Sequence, residues 1–97
     1  MAYQVNYTAE AIKDLDDMRA YDRSRVLDAV AIHLMVDPTL ESRSRIKRLQ
    51  NVPRPQYRLR VGELRVFYDV EGENVVIYRI LDKDAATRYL LELEGQS

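Results

Sequence analysis

The stretch YRLRVGELRVFYDV, residues 57–70, holds side chains that could do chemistry. Gly62-Glu63 suits a two-residue type II′ turn, because glycine accepts positive φ at the first central position. Pairing outward from that turn sets Val61 opposite Leu64, Leu59 opposite Val66 and Tyr57 opposite Tyr68. A side-chain period of two gathers these six residues on one apolar face. Arg58, Arg60, Arg65 and Phe67 fall on the other, with Arg60 directly across from Arg65. Like charges so placed destabilise a hairpin, and the nearest strand carboxylate, Asp69, lies at the far end. Such an uncompensated cluster suits an anion brought from outside. The alternative is a solvated face whose arginines meet acids from elsewhere in the fold.

The wider charge distribution sharpens this. The chain has a net charge of −1, which argues against indiscriminate nucleic-acid binding. Yet residues 42–66 carry eight of the fifteen basic residues and only one of the sixteen acids, Glu63. A local positive field on an acidic body favours a defined anionic target. With no cysteine and one histidine, His33, thiolate and histidine metal sites and a Ser-His-Asp triad have no material, and no cofactor is expected. The N-terminus has no signal pattern and no apolar run reaches membrane-spanning length, so a cytoplasmic protein is expected.

The elements that must position the arginines follow from periodicity. AYQVNY alternates, with Tyr3, Val5 and Tyr7 on one side of a short strand. Thr8 is placed to cap a helix over AEAIKDLDDMRA, where Ile12, Leu15 and Met18 recur at helical spacing. Asp22 is placed to cap a second helix, RSRVLDAVAIHLMVD, with Val26, Val30 and Leu34 in one row and Leu27, Ala31 and Met35 in the next. That broad stripe suits a helix lying on a sheet. The short link between the helices predicts an antiparallel αα-hairpin, and Pro38 closes it, since the residue before proline leaves the α region. RIKRL is a candidate extra strand, which makes three or four after the helices, and NVPRP is a loop. The hairpin strands 57–61 and 64–70 follow, then VVIYRI as a strand buried on both faces, then a helix over AATRYLLEL. The reading is a single α+β domain over 1–97, a small antiparallel sheet against an N-terminal αα-hairpin in the order β-α-α-β-β-β-α, with helices on one side. One register conflict stands out. A two-residue turn at Gly72-Glu73 pairs Val66 with Arg79 and puts that arginine on the helix side. Either the turn is longer or Arg79 reaches the sheet edge.

IKRLQNVPRPQYRLRVGELRVFYDVEGENVVIYRIL closely resembles the central block of the RelE/ParE superfamily of bacterial and archaeal type II toxins, and the order of elements matches over nearly the whole chain. The resemblance implies one of two activities. RelE-like members are ribonucleases that enter the ribosome and cut mRNA there; ParE-like members share the fold but act on DNA gyrase. It also implies a cognate antitoxin as partner, with operator DNA reached only through the antitoxin complex. The apolar YLLEL segment and the edge strands are candidate surfaces for that antitoxin. A degenerate toxin kept for antitoxin binding is a further reading.

For a nuclease, metal-independent cleavage needs a base, an acid, cations at the phosphorus and an in-line geometry. By the resemblance, Arg65 is the phosphate-stabilising arginine, its planar fork gripping two oxygens. Arg58 and Arg60 match the basic pair of the preceding strand, to hold the scissile phosphate and its neighbour or to depress the pKa of a nearby base; the alternative is an exposed basic face with no chemical role. The tail departs from the GHR or GKR pattern of RelE-like nucleases: here LDKDAATRYLLEL sets Lys83 at the catalytic basic position and Tyr89 at the tail tyrosine. Tyr89 would stack on a base or donate a proton, or else pack the last helix. Phe67 offers a stacking surface or a core contact, and Arg88 a phosphate contact or a surface charge. Lys47, Arg48 and Arg54 are assigned to backbone or ribosomal-RNA contacts. His33 is expected to be an ordinary residue of the helical hairpin.

Overall fold

The structure is a computed structural model that describes residues 2–95. Five strands form one sheet in the order β1-β5-β4-β3-β2: β1 is Gln4–Tyr7, β2 Ile46–Arg48, β3 Tyr57–Val61, β4 Leu64–Glu71 and β5 Asn74–Asp82. Only β1 runs parallel to its neighbour, β5. Helices α1 (Ala9–Asp17) and α2 (Ala20–Ala29) make the N-terminal hairpin, and α3 (Lys83–Gly95) ends the described chain. Among the described residues no helix is long and apolar enough to cross a membrane.

The main core lies between the helical hairpin and one sheet face. Ala11, Leu15, Val26, Ala29, Val30 and Leu34 pack there against Leu59, Val61, Val66, Tyr68, Val75, Ile77 and Ile80. Tyr57 stacks on its cross-strand partner Tyr68, ring centroids 5.5 Å apart. The Tyr68 hydroxyl donates to the Pro38 carbonyl at 2.6 Å and so ties the loop after the helices to the core.

Several expectations are corrected. The helices do not share one side: α3 packs on the opposite face, where its Tyr89 ring meets Phe67 at 5.1 Å. Asp22 does not cap α2, which begins two residues earlier behind Arg19, so that Asp22 lies in the first turn and pairs with Arg19 at 3.7 Å. Thr8 does cap α1, accepting from the Ala11 N–H at 3.1 Å. The second apolar row of the second helix stays in water: Leu27 is 42 % exposed and Met35 36 % exposed. Past Ala29 the helix widens into a π-type turn over Val30–Leu34. The wider turn carries Val30 and Leu34 into the core and leaves Ile32 at the surface.

The register conflict resolves by the second alternative, Arg79 at the sheet edge, reached through a bulge that the sequence reading did not include. The Gly72-Glu73 turn does have two residues, with Gly72 at φ 60°. A bulge between Phe67 and Tyr68 leaves Tyr78 without a partner, so Phe67 pairs with Arg79 and Val66 with Ile80. One inserted residue reverses which face the rest of the strand presents, and Arg79 leaves the core side. The freed backbone is satisfied from the helical hairpin. The Thr8 hydroxyl donates to the Tyr78 carbonyl at 2.9 Å, and the Asp14 carboxylate accepts from the Ile80 N–H at 2.9 Å. Beyond Tyr7, where β1 ends, Arg79 reaches round the open edge of β5 to Asp14.

The outer edge of β2 is closed by its own loop. The Ser42 N–H donates to the Ile46 carbonyl, the Ser42 hydroxyl accepts from the Ile46 N–H, and Glu41 accepts from the Arg48 N–H. Covering an edge in this way blocks addition of a foreign strand there.

Candidate anion-binding face

The hairpin register puts Arg58 opposite Phe67 and Arg60 opposite Arg65. The Arg60 N–H points away from β4 and donates to the Arg45 carbonyl. Arg60 and Arg65 are therefore a non-hydrogen-bonded pair, the kind whose side chains approach most closely, with Cα atoms about 4.5 Å apart. On the next strand, Lys47 faces Arg58. One cross-strand row thus reads Lys47, Arg58, Phe67, Arg79, and the row beside it holds Arg60 and Arg65.

None of the ion pairs among the described residues involves Lys47, Arg58, Arg60 or Arg65. Arg65 donates from Nη1 to the carbonyls of Gly62 and Leu64, at 2.9 and 3.0 Å. These neutral acceptors hold the guanidinium at the hairpin tip without cancelling its charge. Arg58 is half-buried, and its Nε is buried with no hydrogen-bond partner. Burial pulls its pKa down, and the charges of Arg65 and Arg60 pull the same way. A guanidinium with an orphaned buried donor and two like charges around it is stabilised by an incoming anion through charge-assisted hydrogen bonds.

The other residues singled out from the sequence are dispersed. Arg48 lies on the core side of its strand, its guanidinium 5.4 Å above the Tyr57 ring and its Nη1 3.1 Å from the Tyr57 hydroxyl. Strand alternation separates it from Lys47. Arg54 pairs with Asp69 at 3.1 Å and Glu71 at 3.2 Å. Its hydrogen bonds to Tyr78 and Glu71 raise its pKa. Phe67 is 0 % exposed beneath α3, so it packs and presents no ring face to a base. Tyr89 is half-buried against Phe67, with the Arg79 guanidinium 6.0 Å from its ring centre, and burial raises its pKa. It borders two shallow clefts. One, of about 260 Å³, includes Thr8, Glu10, Tyr78 and Arg79; the other, of about 200 Å³, includes Arg54, Pro55, Tyr78 and Leu93. Lys83 is exposed at the first position of α3, and Arg88 is exposed further along it; neither makes an ion pair among the described residues. His33 stands on the helical hairpin, in a groove with Ile32, Val36, Leu40 and Arg45 that none of Arg58, Arg60 and Arg65 lines.

The model of the ParE toxin of type II toxin–antitoxin systems matches residues 5–92. The chain belongs to that family. This toxin also shares its fold with solved RelE structures. The RelBE2 toxin–antitoxin complex of Mycobacterium tuberculosis superposes with a TM-score of 0.70 and 24 % identity over 84 % of this chain and 99 % of that one. The archaeal RelE-RelB complex of Pyrococcus horikoshii gives 0.69 and 23 %, over 86 % and 97 %. An arginine-to-alanine double mutant of Escherichia coli toxin RelE in the free state gives 0.67 and 20 %, over 93 % of each chain. No curated protein matches the toxin in sequence.

Two features of the toxin's surface escape a strand-by-strand reading. Asp14 and Asp69 select which arginines are neutralised, although each is more than a dozen residues from its partner. Arg25, from α2, brings its guanidinium against the hairpin tip: its Nη2 is 2.7 Å from where a Cβ on Gly62 would lie. The signals available were weak: an acid on the inner flank of α1, and a basic residue one helical turn beyond a tyrosine.

Proposed function

We propose that this toxin is a ribosome-dependent endoribonuclease that cuts mRNA and so inhibits translation. One observation carries the reading: Arg58, Arg60 and Arg65 share one face, no carboxylate of the described protein pairs with them, and Arg58 keeps a buried donor without an acceptor. In that scheme Arg65 and Arg60 stabilise charge gathering on the phosphorus, and Arg58 and Lys47 hold the flanking backbone. The protein's contribution is placement and preorganised charge, with no metal or cofactor required. Lys83, exposed at the start of α3, adds a further cation. Tyr89, kept protonated by burial, acts as a donor or as packing and not as a base. The ribosome and mRNA are the partners in action, and the compartment is the cytoplasm. The relatives solved as toxin–antitoxin complexes support a cognate antitoxin as the partner at rest, with operator DNA contacted through that complex.

Purified toxin added to a translating extract should cut mRNA and leave naked RNA nearly intact. Arg65→Ala should lose cutting while keeping its unfolding midpoint; full-rate cutting by this variant removes the arginine face from the mechanism. The second reading is a ParE-like inhibitor of DNA gyrase without nuclease activity. It is favoured by the family match and by the position of His33, which leaves the arginine face without an imidazole to act as acid or base. Gyrase-dependent DNA breaks with intact mRNA would decide for it.

A further inference from the structure

At the hairpin tip two guanidinium groups from different elements meet one glycine. Arg65 reaches the Gly62 carbonyl from β4, at 2.9 Å, and Arg25 reaches the Gly62 α-carbon side from α2. The absence of a Cβ is what admits Arg25, since one would stand 2.7 Å from its Nη2. Arg25 makes no ion pair with an acid among the described residues, and neither Glu63 in the turn nor Asp82, across from Leu64, pairs with Arg25 or Arg65. Four residues before Arg25, on the same face of α2, Tyr21 lies with its ring centre 5.7 Å from the Arg25 guanidinium carbon. Tyr21 is 71 % exposed, so the ring remains largely open to water. The protein buries its other large aromatic rings wholly or partly, which makes this one unusual within it.

We propose that Tyr21 and Arg25 form a nucleotide subsite that continues the arginine face over the hairpin tip, Arg25 taking a phosphate and Tyr21 stacking the attached base. This rests on the reading of that face as a phosphodiester grip and extends it from one phosphate to a strand. Same-face residues along β3 stand about 7 Å apart, a step commensurate with successive phosphates of an extended strand. The cations then run from Arg58 through Arg60 and Arg65 to Arg25. An exposed aromatic beside a guanidinium suits a single-stranded nucleic acid, whose bases offer a π-face whatever the sequence. An acidic peptide would use the cation and have no need of the ring.

The test is fluorescence anisotropy of a labelled single-stranded RNA with the full-length protein, titrated with salt, beside an oligoglutamate peptide. Arg25 and Tyr21 are exposed, so their replacement leaves the core intact. Arg25→Ala should lower the slope of log affinity against log salt by about 0.7, the share of one phosphate on a single strand, and Arg25→Lys should restore it. Tyr21→Ala should weaken RNA binding about fivefold or more without changing that slope, and Tyr21→Phe should bind as wild type. Arg58→Ala reports on the underlying grip. If Arg58→Ala loses RNA while Arg25→Ala and Tyr21→Ala match wild type, the subsite is refuted and the arginine face survives. If the wild type binds oligoglutamate more tightly than RNA and Tyr21→Ala changes neither, the tip serves an acidic protein and the proposal is wrong. If the wild type binds no RNA at low salt, the face and the subsite fall together.

Discussion

Arg79 and Arg58 stand in the same cross-strand row of the same sheet face, on either side of Phe67. Arg79 is gripped by both oxygens of Asp14, at 2.8 and 3.1 Å. Arg58 ends in a buried nitrogen with no partner. The division extends across the face. Toward β5, α3 covers the sheet, and Arg54 and Arg79 are neutralised by Asp69, Glu71 and Asp14. Toward β3, no acid among the described residues pairs with Arg58, Arg60 or Arg65. The chain is rich in carboxylates and supplies them to selected arginines. Arg58, Arg60 and Arg65 thus lie together, without an acid partner among the described residues, on the β3 half of the face.

The sharpest way to break this comparison is to remove the acid from the paired side. Asp14→Ala strands a guanidinium that is two-thirds buried and takes the acceptor from the Ile80 N–H. It should destabilise the protein by about 2–3 kcal/mol, discounted for the water that Arg79 still meets. Urea denaturation measures this, and a change under about 0.5 kcal/mol would mean the paired arginines are no better held than the free ones.

Alkaline pH probes the same covered half. Burial raises the Tyr89 pKa above its ordinary value of 10.0. Above that pH the unfolded chain releases the proton while the folded protein keeps it, so stability falls as pH rises. A fully protected phenol would contribute about 1.4 kcal/mol per pH unit, and half-buried Tyr89 only a fraction of that. Tyr89→Phe should reduce the loss of stability measured between pH 10 and 11, leaving the share of Tyr7 and Tyr68, whose pKa values burial also raises, whereas Arg58→Met should leave it unchanged.

The smallest effect lies on the unpaired side and has the opposite sign. Arg58→Met relieves repulsion from Arg60 and Arg65 and fills the site with an apolar chain. It should stabilise the protein by about 0.5 kcal/mol at low ionic strength, while abolishing the mRNA cutting proposed above. Added salt should stabilise the wild type more than this variant, because screening relieves the same repulsion. Arg58→Met unfolding at lower urea than wild type would show that Arg58 is a structural residue.

The hairpin was legible because each part of it is local. A glycine with φ 59° at the turn and strict alternation around it set all five pairs between Tyr57 and Tyr68 without help from the rest of the chain. The same alternation separates Lys47 from Arg48, although charge alone groups them. Phe67 was ambiguous for a physical reason: an aromatic on the polar face packs or stacks according to whether something covers it, and α3 arrives from sixteen residues or more along the chain. The second apolar row of the second helix is exposed from Leu27, ahead of the π-type turn, because helical period shows which residues share a row and not how wide a stripe the sheet covers.

By itself the sequence determined that three arginines share a face, because strand period and turn type are properties of neighbouring residues. It also determined the order of the elements, since apolar period and turn residues are written locally. Only the tertiary structure decided which arginines stay charged and unpaired. That outcome depends on the bulge at Tyr78, on the helix that covers Phe67, and on carboxylates carried to Arg54 and Arg79 by residues distant in the chain. Charge neutralisation acts across space, and spacing along the chain does not encode it.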